Sequence, residues 1–155
     1  MSNSGKPIIV VSKCLGFEPC RYNGSMEPNS FIEVLGNYVE FIKVCPEQGC
    51  GLPTPRGSLK IVENDDGYNV VQNKTNIVLT KELKGFTSKF LSELGEVDGF
   101  ILKSKSPSCG IKDAKIYPKI EKCSSIKRGN GLFADEVIKK YPNLLVENEG
   151  RLTNY

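Results

Sequence analysis

Short uninterrupted apolar runs alternate along this chain with longer segments whose apolar residues fall at helical spacing. Residues 7–12 (PIIVVS), 38–44 (YVEFIKV), 99–103 (GFILK) and 144–146 (LLV) read as buried strands. Ser30-Phe31-Ile32-Glu33 fits a capping box, which predicts a short helix to Leu35 with Gly36 near its stop. Leu83, Phe86, Phe90, Leu91 and Leu94 predict a helix from Thr80 to Leu94, with Gly95 at the position after the cap. Phe133, Ala134, Val137, Ile138 and Tyr141 predict another over 132–141, stopped by Pro142. LKIVE (59–63) and YNVVQ (68–72) flank Asn64-Asp65-Asp66-Gly67 and read as a β-hairpin. Residues 15–29, with turn signals at Pro19, Gly24 and Pro28, residues 49–58, and the long polar stretch after 103 read as loops.

Strands alternating with helices predict an α/β fold: a mostly parallel, Rossmann-like sheet flanked by helices, with a small β-hairpin insertion. A length of 155 residues fits one domain, 1–155, with a sizeable core. In such folds ligands bind beyond the carboxyl ends of the strands. Cys14, Cys45 and Cys109 each follow an apolar strand within a few residues. Parallel neighbours lie about 5 Å apart, so these three thiols are expected to converge on one rim of the sheet.

Composition narrows the chemistry. The chain has no histidine, which removes Ser-His and Cys-His nucleophile pairs, His-liganded zinc and a His general base. No run approaches the roughly 20 apolar residues of a membrane span. The apolar run at 7–11 is ended by Lys13 and is too short for a secretory signal, so a cytoplasmic location is expected. In that reducing compartment the six cysteines are thiols or metal ligands rather than disulfides. A net charge of +3 permits an anionic partner without arguing for one.

A lone buried cysteine packs as a small apolar residue. Three at strand ends, each beside Pro or Gly, point to a shared site. Three thiolates suit zinc or an iron–sulfur cluster, since soft sulfur ligands serve both. Structural zinc wants a fourth closed ligand. A cubane held by three cysteines leaves one iron without a protein thiolate, free to act as a Lewis acid. The residues do not choose between the two. Cys20, Cys50 and Cys123 lie in loops and are candidate fourth ligands or inert thiols, with Cys50 the strongest competitor because it is close to Cys45.

The motifs VSKCLGFEPCRYNG, KVCPEQGCGLPTPRG, GFILKSKSPSCG and ENEGRL occur in order over residues 8–152. Together they resemble the thiouracil desulfidase family. The resemblance implies an α/β domain that binds a 4Fe-4S cluster through three cysteines and removes sulfur from thiolated uracil compounds. Carried onto this chain, the ligands are Cys14, Cys45 and Cys109. The implied reaction is hydrolytic: 2- or 4-thiouracil, or 4-thiouridine monophosphate, becomes the oxo compound and hydrogen sulfide without net electron transfer. Relatives commonly read RYDG where this chain has Arg21-Tyr22-Asn23-Gly24, and Leu-Leu-Gly where it has Leu15-Gly16-Phe17. The chain also lacks the additional C-terminal domain of members that act on tRNA. A small thiolated pyrimidine or its nucleotide is therefore expected, and nucleic acid is not.

In the C-P-E motif Glu47 is the expected general base, with orientation of a ligand as its plainer role. Ser106 and Ser108 bracket Pro107 before Cys109. Either hydroxyl could contact the ring or pass a proton, Ser106 by preference, or both could simply cap the corner. Arg21, Arg56, Lys103 and Lys105 are candidates to meet a phosphate or ring carbonyl, and Tyr22 to stack on the pyrimidine. Two other functions remain open at this level: a non-catalytic zinc or iron–sulfur module that carries sulfur, and a desulfidase acting on thiolated tRNA.

Overall fold

The computed structural model describes residues 5–18, 20–53, 56–65 and 67–152. Pro19 and Asp66, read as turn residues, lie outside the described residues, as do Thr54 and Pro55 of the GLPTPRG motif.

The apolar runs form one parallel sheet of four strands. β1 (Ile8–Ser12), β2 (Glu40–Val44), β5 (Gly99–Leu102) and β8 (Leu145–Asn148) lie in the order β2-β1-β5-β8. The two runs without polar interruption take the central places, where both faces are covered. Successive side chains point to opposite faces. Val10, Phe100 and Leu102 thus meet Leu91 of helix α3 (Thr80–Glu93) and Phe133 and Val137 of helix α4 (Leu132–Lys140). On the other face Val11 and Ile101 pack on Ile32 of α1 (Ser30–Leu35), with Leu15.

The hairpin forms as expected from β3 (Leu59–Asn64) and β4 (Gly67–Gln72), paired from Leu59↔Gln72 to Asn64↔Gly67. It is joined by two strands that the sequence pattern conceals. β6 (Ala114–Tyr117) pairs parallel to β3, and β7 (Lys127–Gly129) antiparallel to β6, giving a second sheet β4-β3-β6-β7. β6 buries only Ala114 and Ile116, a four-residue alternation too short to stand out among lysines. Two one-turn helices are also hidden in sequence, α2 (Pro46–Gly49) and α5 (Glu149–Leu152).

Helix ends follow local chemistry. α1 is capped by Asn29, whose Oδ1 accepts from Ile32 N at 3.1 Å, one residue before the Ser30 expected from the capping box. Past α3, Gly95 has φ +72, the left-handed conformation that glycine adopts without a Cβ clash. α3 binds the two sheets together: Leu91 packs on the parallel sheet, and Leu83 packs with Leu59 and Val70 of the hairpin. Among the described residues no helix is long and apolar enough to cross a membrane.

Phe133 is fully buried, its ring 5.8 Å from that of Phe90. A Phe133→Ala variant is expected to lose about 3–5 kcal/mol of stability. Urea unfolding checks this, and a loss under about 1 kcal/mol would show that the core is not organised as described.

Candidate active site

The parallel register brings three strand ends level. Ser12 pairs with Val44 and Val11 with Ile101, and the Lys13 amide donates to Val44 O at 2.9 Å. Beyond these ends lies a cleft of about 480 Å³. Cys14 enters it from the turn after β1, Cys45 from the junction of β2 and α2, and Cys109 from the loop after β5.

The Cys109 loop is fixed from two sides. Ser106 Oγ accepts from the amides of Ser108 (3.1 Å) and Cys109 (3.0 Å), closing the corner. The first amides of α4 then take the loop's carbonyls, Leu132 N to Pro107 O at 3.1 Å and Ala134 N to Ser108 O at 3.1 Å. These donors have no partner within their own helix. Gly131 allows the approach, since a Cβ there would stand 2.4 Å from the carbonyl carbon of Ser108. Ser12, whose Oγ accepts from the Lys103 amide at 2.9 Å, ties the end of β1 to the start of the same loop.

A fourth sulfur belongs to this cleft. Cys20 is buried, lines the cleft, and lies within hydrogen-bonding reach of the Cys14 and Cys45 thiols. Contact with the Cys14 thiol, together with burial, pushes the Cys20 thiol up to about 11. Hydrogen bonding to Cys20 and desolvation push Cys45 up, and burial pushes Cys109 up. At Cys20, Cys45 and Cys109 the protein alone thus favours the thiol over the bare thiolate. A bound cation reverses that preference, because a coordinating thiol is deprotonated. Among the described residues no three Cys, Asp or Glu side chains stand together as the ligands of one metal ion. Soft thiol sulfurs opening onto one cleft are a donor set that an iron–sulfur cluster or a zinc ion could use. Cys50 is elsewhere: its thiol donates to Glu47 O at 3.2 Å, and it packs beside the hairpin core. Cys123 lines a different cleft.

Beside the sulfurs sits a buried carboxylate with both oxygens engaged. Glu47 Oε2 accepts from Ser108 Oγ at 3.0 Å, and Oε1 pairs with Arg56 Nε at 3.0 Å. The Arg56 and Glu47 side chains are only 3% and 11% exposed. Arg56 also donates to Cys20 O (2.9 Å) and Pro53 O (3.1 Å). The preference for Ser106 over Ser108 meets a different geometry. The Ser106 oxygen holds the turn amides, and it is Ser108, almost fully buried, that touches the carboxylate.

Of the expected phosphate contacts, Arg21, Arg56 and Lys103 all line the cleft, and all are already ion-paired. Arg21 Nη1 meets Glu27 Oε1 at 2.7 Å; Lys103 Nζ meets Glu27 Oε2 at 3.2 Å and Glu149 Oε2 at 3.3 Å. Burial works against the Lys103 charge, but those carboxylates outweigh it and raise its pKa. Glu149 also accepts from the Ser104 amide (2.8 Å) and hydroxyl (2.7 Å), so the ENEGRL segment steadies the loop that carries Cys109. Lys105 and the largely exposed Tyr22 line the cleft at its edge. Sequence reasoning missed Ser12, Glu27, Glu149 and Gly131. The first three are polar residues with no chemistry of their own to announce, and Gly131 matters only through a contact between distant segments.

A family model for 2-thiouracil desulfurase matches residues 9–149. The chain belongs to this family. It is an enzyme of the thiouracil desulfidase class, and its fold is that of a solved relative. The structure titled 4Fe-4S-dependent thiouracil desulfidase TudS superposes with a TM-score of 0.74, covering 95% of this chain and 93% of that one at 27% identity. The uncharacterized protein YbbK of Bacillus subtilis (strain 168) is 34% identical over 111 residues, 66% of this chain and 73% of that protein. The family match spans Cys14, Cys45, Glu47 and Cys109, so the cleft described above lies wholly within it.

The Glu47–Arg56 pair makes a clear structural demand. Removing one partner of a buried pair strands the other charge, at a cost of about 3–5 kcal/mol. An Arg56→Ala variant is expected to show that loss in chemical denaturation. A loss under about 1 kcal/mol would mean that water, not Arg56, satisfies Glu47.

Proposed function

We propose that this protein is a 4Fe-4S-dependent desulfidase that hydrolytically removes sulfur from a thiolated uracil, either free 2- or 4-thiouracil or 4-thiouridine monophosphate. The products are the oxo compound and hydrogen sulfide, with no net electron transfer, and residues 1–155 act as one catalytic domain in a reducing cytoplasm. The observation that carries this reading is the opening of Cys14, Cys45 and Cys109 onto one cleft, beside a buried Glu47–Ser108 pair.

Cys14, Cys45 and Cys109 would hold the cluster, with the Cys20 thiol packed between the first two. When bound, the cluster supplies a Lewis-acidic iron with affinity for soft thiocarbonyl sulfur. The protein's own task is to place and activate water. Glu47 takes a proton from the water that attacks the thiocarbonyl carbon and returns it to the departing sulfide. The second proton leaves the newly added hydroxyl as the carbonyl forms and the carbon–sulfur bond breaks, so both protons of water depart as hydrogen sulfide and the oxygen stays on the ring. Arg56 and Ser108 fix the two carboxylate oxygens, which limits the rotation that would misdirect the base. Ser106 keeps the Cys109 corner closed. Tyr22, at the cleft's open edge, offers a ring face to the pyrimidine.

Protein purified without oxygen is expected to be brown and bleached by air, and to release sulfide from thiouracil or thiouridine monophosphate with the oxo product in equal amount. A colourless protein with stoichiometric zinc would overturn the cofactor. Single Cys14→Ala, Cys45→Ala and Cys109→Ala variants are each expected to lose iron. Glu47→Gln, with its iron content intact, is expected to lose about 10²–10⁴-fold in kcat, the range for a positioned general base. Full turnover in that variant would remove Glu47 from the chemistry.

A further inference from the structure

The charges around the desulfidase cleft are largely spent. Lys13, Arg21, Arg56 and Lys103 each face a carboxylate within 4 Å or less: Glu18 at 3.4 Å, Glu27 at 2.7 Å, Glu47 at 3.0 Å, and both Glu27 (3.2 Å) and Glu149 (3.3 Å) respectively. A phosphate entering there finds cations that already have partners. The neighbouring cleft, on the second sheet, has the opposite balance.

That cleft measures about 660 Å³ and is lined by Lys60, Lys105, Lys115, Lys122 and Arg128, against one carboxylate, Asp113. Among the described residues none of these five cations forms an ion pair, although Lys60 Nζ donates to Ile120 O and lies over the Tyr117 ring. Asp113 is itself engaged, its Oδ1 accepting from the Lys105 amide at 2.9 Å. The geometry follows from β6 and β7. In β6, Ala114 and Ile116 turn inward, so Lys115 turns outward, and the register sets Arg128 of β7 opposite it. The two clefts share Lys105 and Pro107 as a common wall. Lys105 has φ +63, a conformation that costs a side-chain-bearing residue more than glycine. The Asp113 bond holds it there, so the one cation of the desulfidase cleft that forms no ion pair among the described residues stands on the ridge between the two.

We propose that the cleft on the second sheet is a phosphate-binding subsite, which holds the phosphate chain of a substrate whose thiolated ring lies at the cysteines. This rests on the desulfidase reading for the position of the ring, but not for the binding of phosphate. Two sources present the same chemistry: the phosphates of a thiolated nucleotide, and the phosphodiesters that flank a thiolated uridine in a short single-stranded RNA. Lysine and arginine side chains without partners gain most from such groups, because no internal ion pair has to be broken first.

The test uses anaerobically prepared wild-type protein, a Lys115→Ala/Arg128→Ala variant, and a Lys81→Ala/Lys89→Ala variant that loses the same charge from α3. Equilibrium binding is measured for UTP and for an end-labelled pentauridylate, neither of which carries sulfur. Wild type is expected to bind at least one of them. The Lys115/Arg128 variant is expected to bind about tenfold or more weakly, with a flatter salt dependence, by about 1 in log–log slope. The α3 variant is expected to bind as wild type does. Preference for pentauridylate identifies flanking phosphodiesters as the source; equal or better binding of UTP identifies the nucleotide's own phosphates. Turnover supplies a second readout: the ratio of KM for thiouridine to KM for its monophosphate is expected to fall in the Lys115/Arg128 variant. A Lys115→Arg/Arg128→Lys variant is expected to recover binding. No binding of either probe by wild type, or equal weakening in the α3 variant, overturns the subsite. Failure of wild type to release sulfide from both thiouracil and thiouridine monophosphate overturns the desulfidase reading instead and leaves the binding result to stand.

Discussion

Everything in the site depends on the in-register parallel pairing of β1 with β2 and β5. In an antiparallel arrangement Cys14 and Cys45 would lie at opposite edges of the sheet, since a strand's carboxyl end then faces its neighbour's amino end. Parallel pairing sets Ser12 beside Val44 and Val11 beside Ile101. Residues remote in sequence thereby reach one rim. The pairing is enforced by burial on both faces: Val10 and Val11 on β1, and Phe100 and Ile101 on β5, each satisfy opposite layers. A slip of one residue would exchange the two layers, so register and thiol convergence are one constraint.

Packing then converts convergence into a fixed geometry. Cys109 lies several residues beyond its strand, far enough for a free loop to wander. The loop is instead held by Ser106 from within, by the first amides of α4 from one side, and by Asp113 and Glu149 from the other. α4 in turn is seated by Phe133 and Val137 in the main core. Burying Glu47 and Arg56 together is costly in solvation, and is offset by their pairing and by the bonds to Ser108, Cys20 and Pro53. The result is a carboxylate with little freedom beside a group of sulfurs.

Much of this was legible in the sequence, for physical reasons. The central strands are apolar without interruption, and α3 and α4 have clear periodicity, so the main sheet and its helices could be placed. The cysteines stood out because each ends such a strand. What stayed hidden depended on long-range pairing. β6 and β7 are short and rich in lysine, and become strands only because β3 offers β6 an edge. Cys20 looked like any loop cysteine until the loop folded back over Cys14 and Cys45. Arg21 and Lys103 stand in the sequence as candidates for a phosphate or ring carbonyl, and nothing local shows that Glu27 and Glu149 will reach them.

Hidden strands and hidden ion pairs lead to the same conclusion about how the molecule divides its work. The parallel sheet gathers soft ligands and neutralises its own cations, which suits the binding of an uncharged thiocarbonyl ring. The cleft on the second sheet gathers cations that, among the described residues, form no ion pair. Segment 103–113 joins the two: it leaves β5, carries Cys109 into one cleft, and enters β6, whose Lys115 faces the other. Lys105 stands on the wall they share in a left-handed conformation, with its amide donating to Asp113. A substrate that spanned this ridge would set its ring on the sulfur side and its charge on the lysine side.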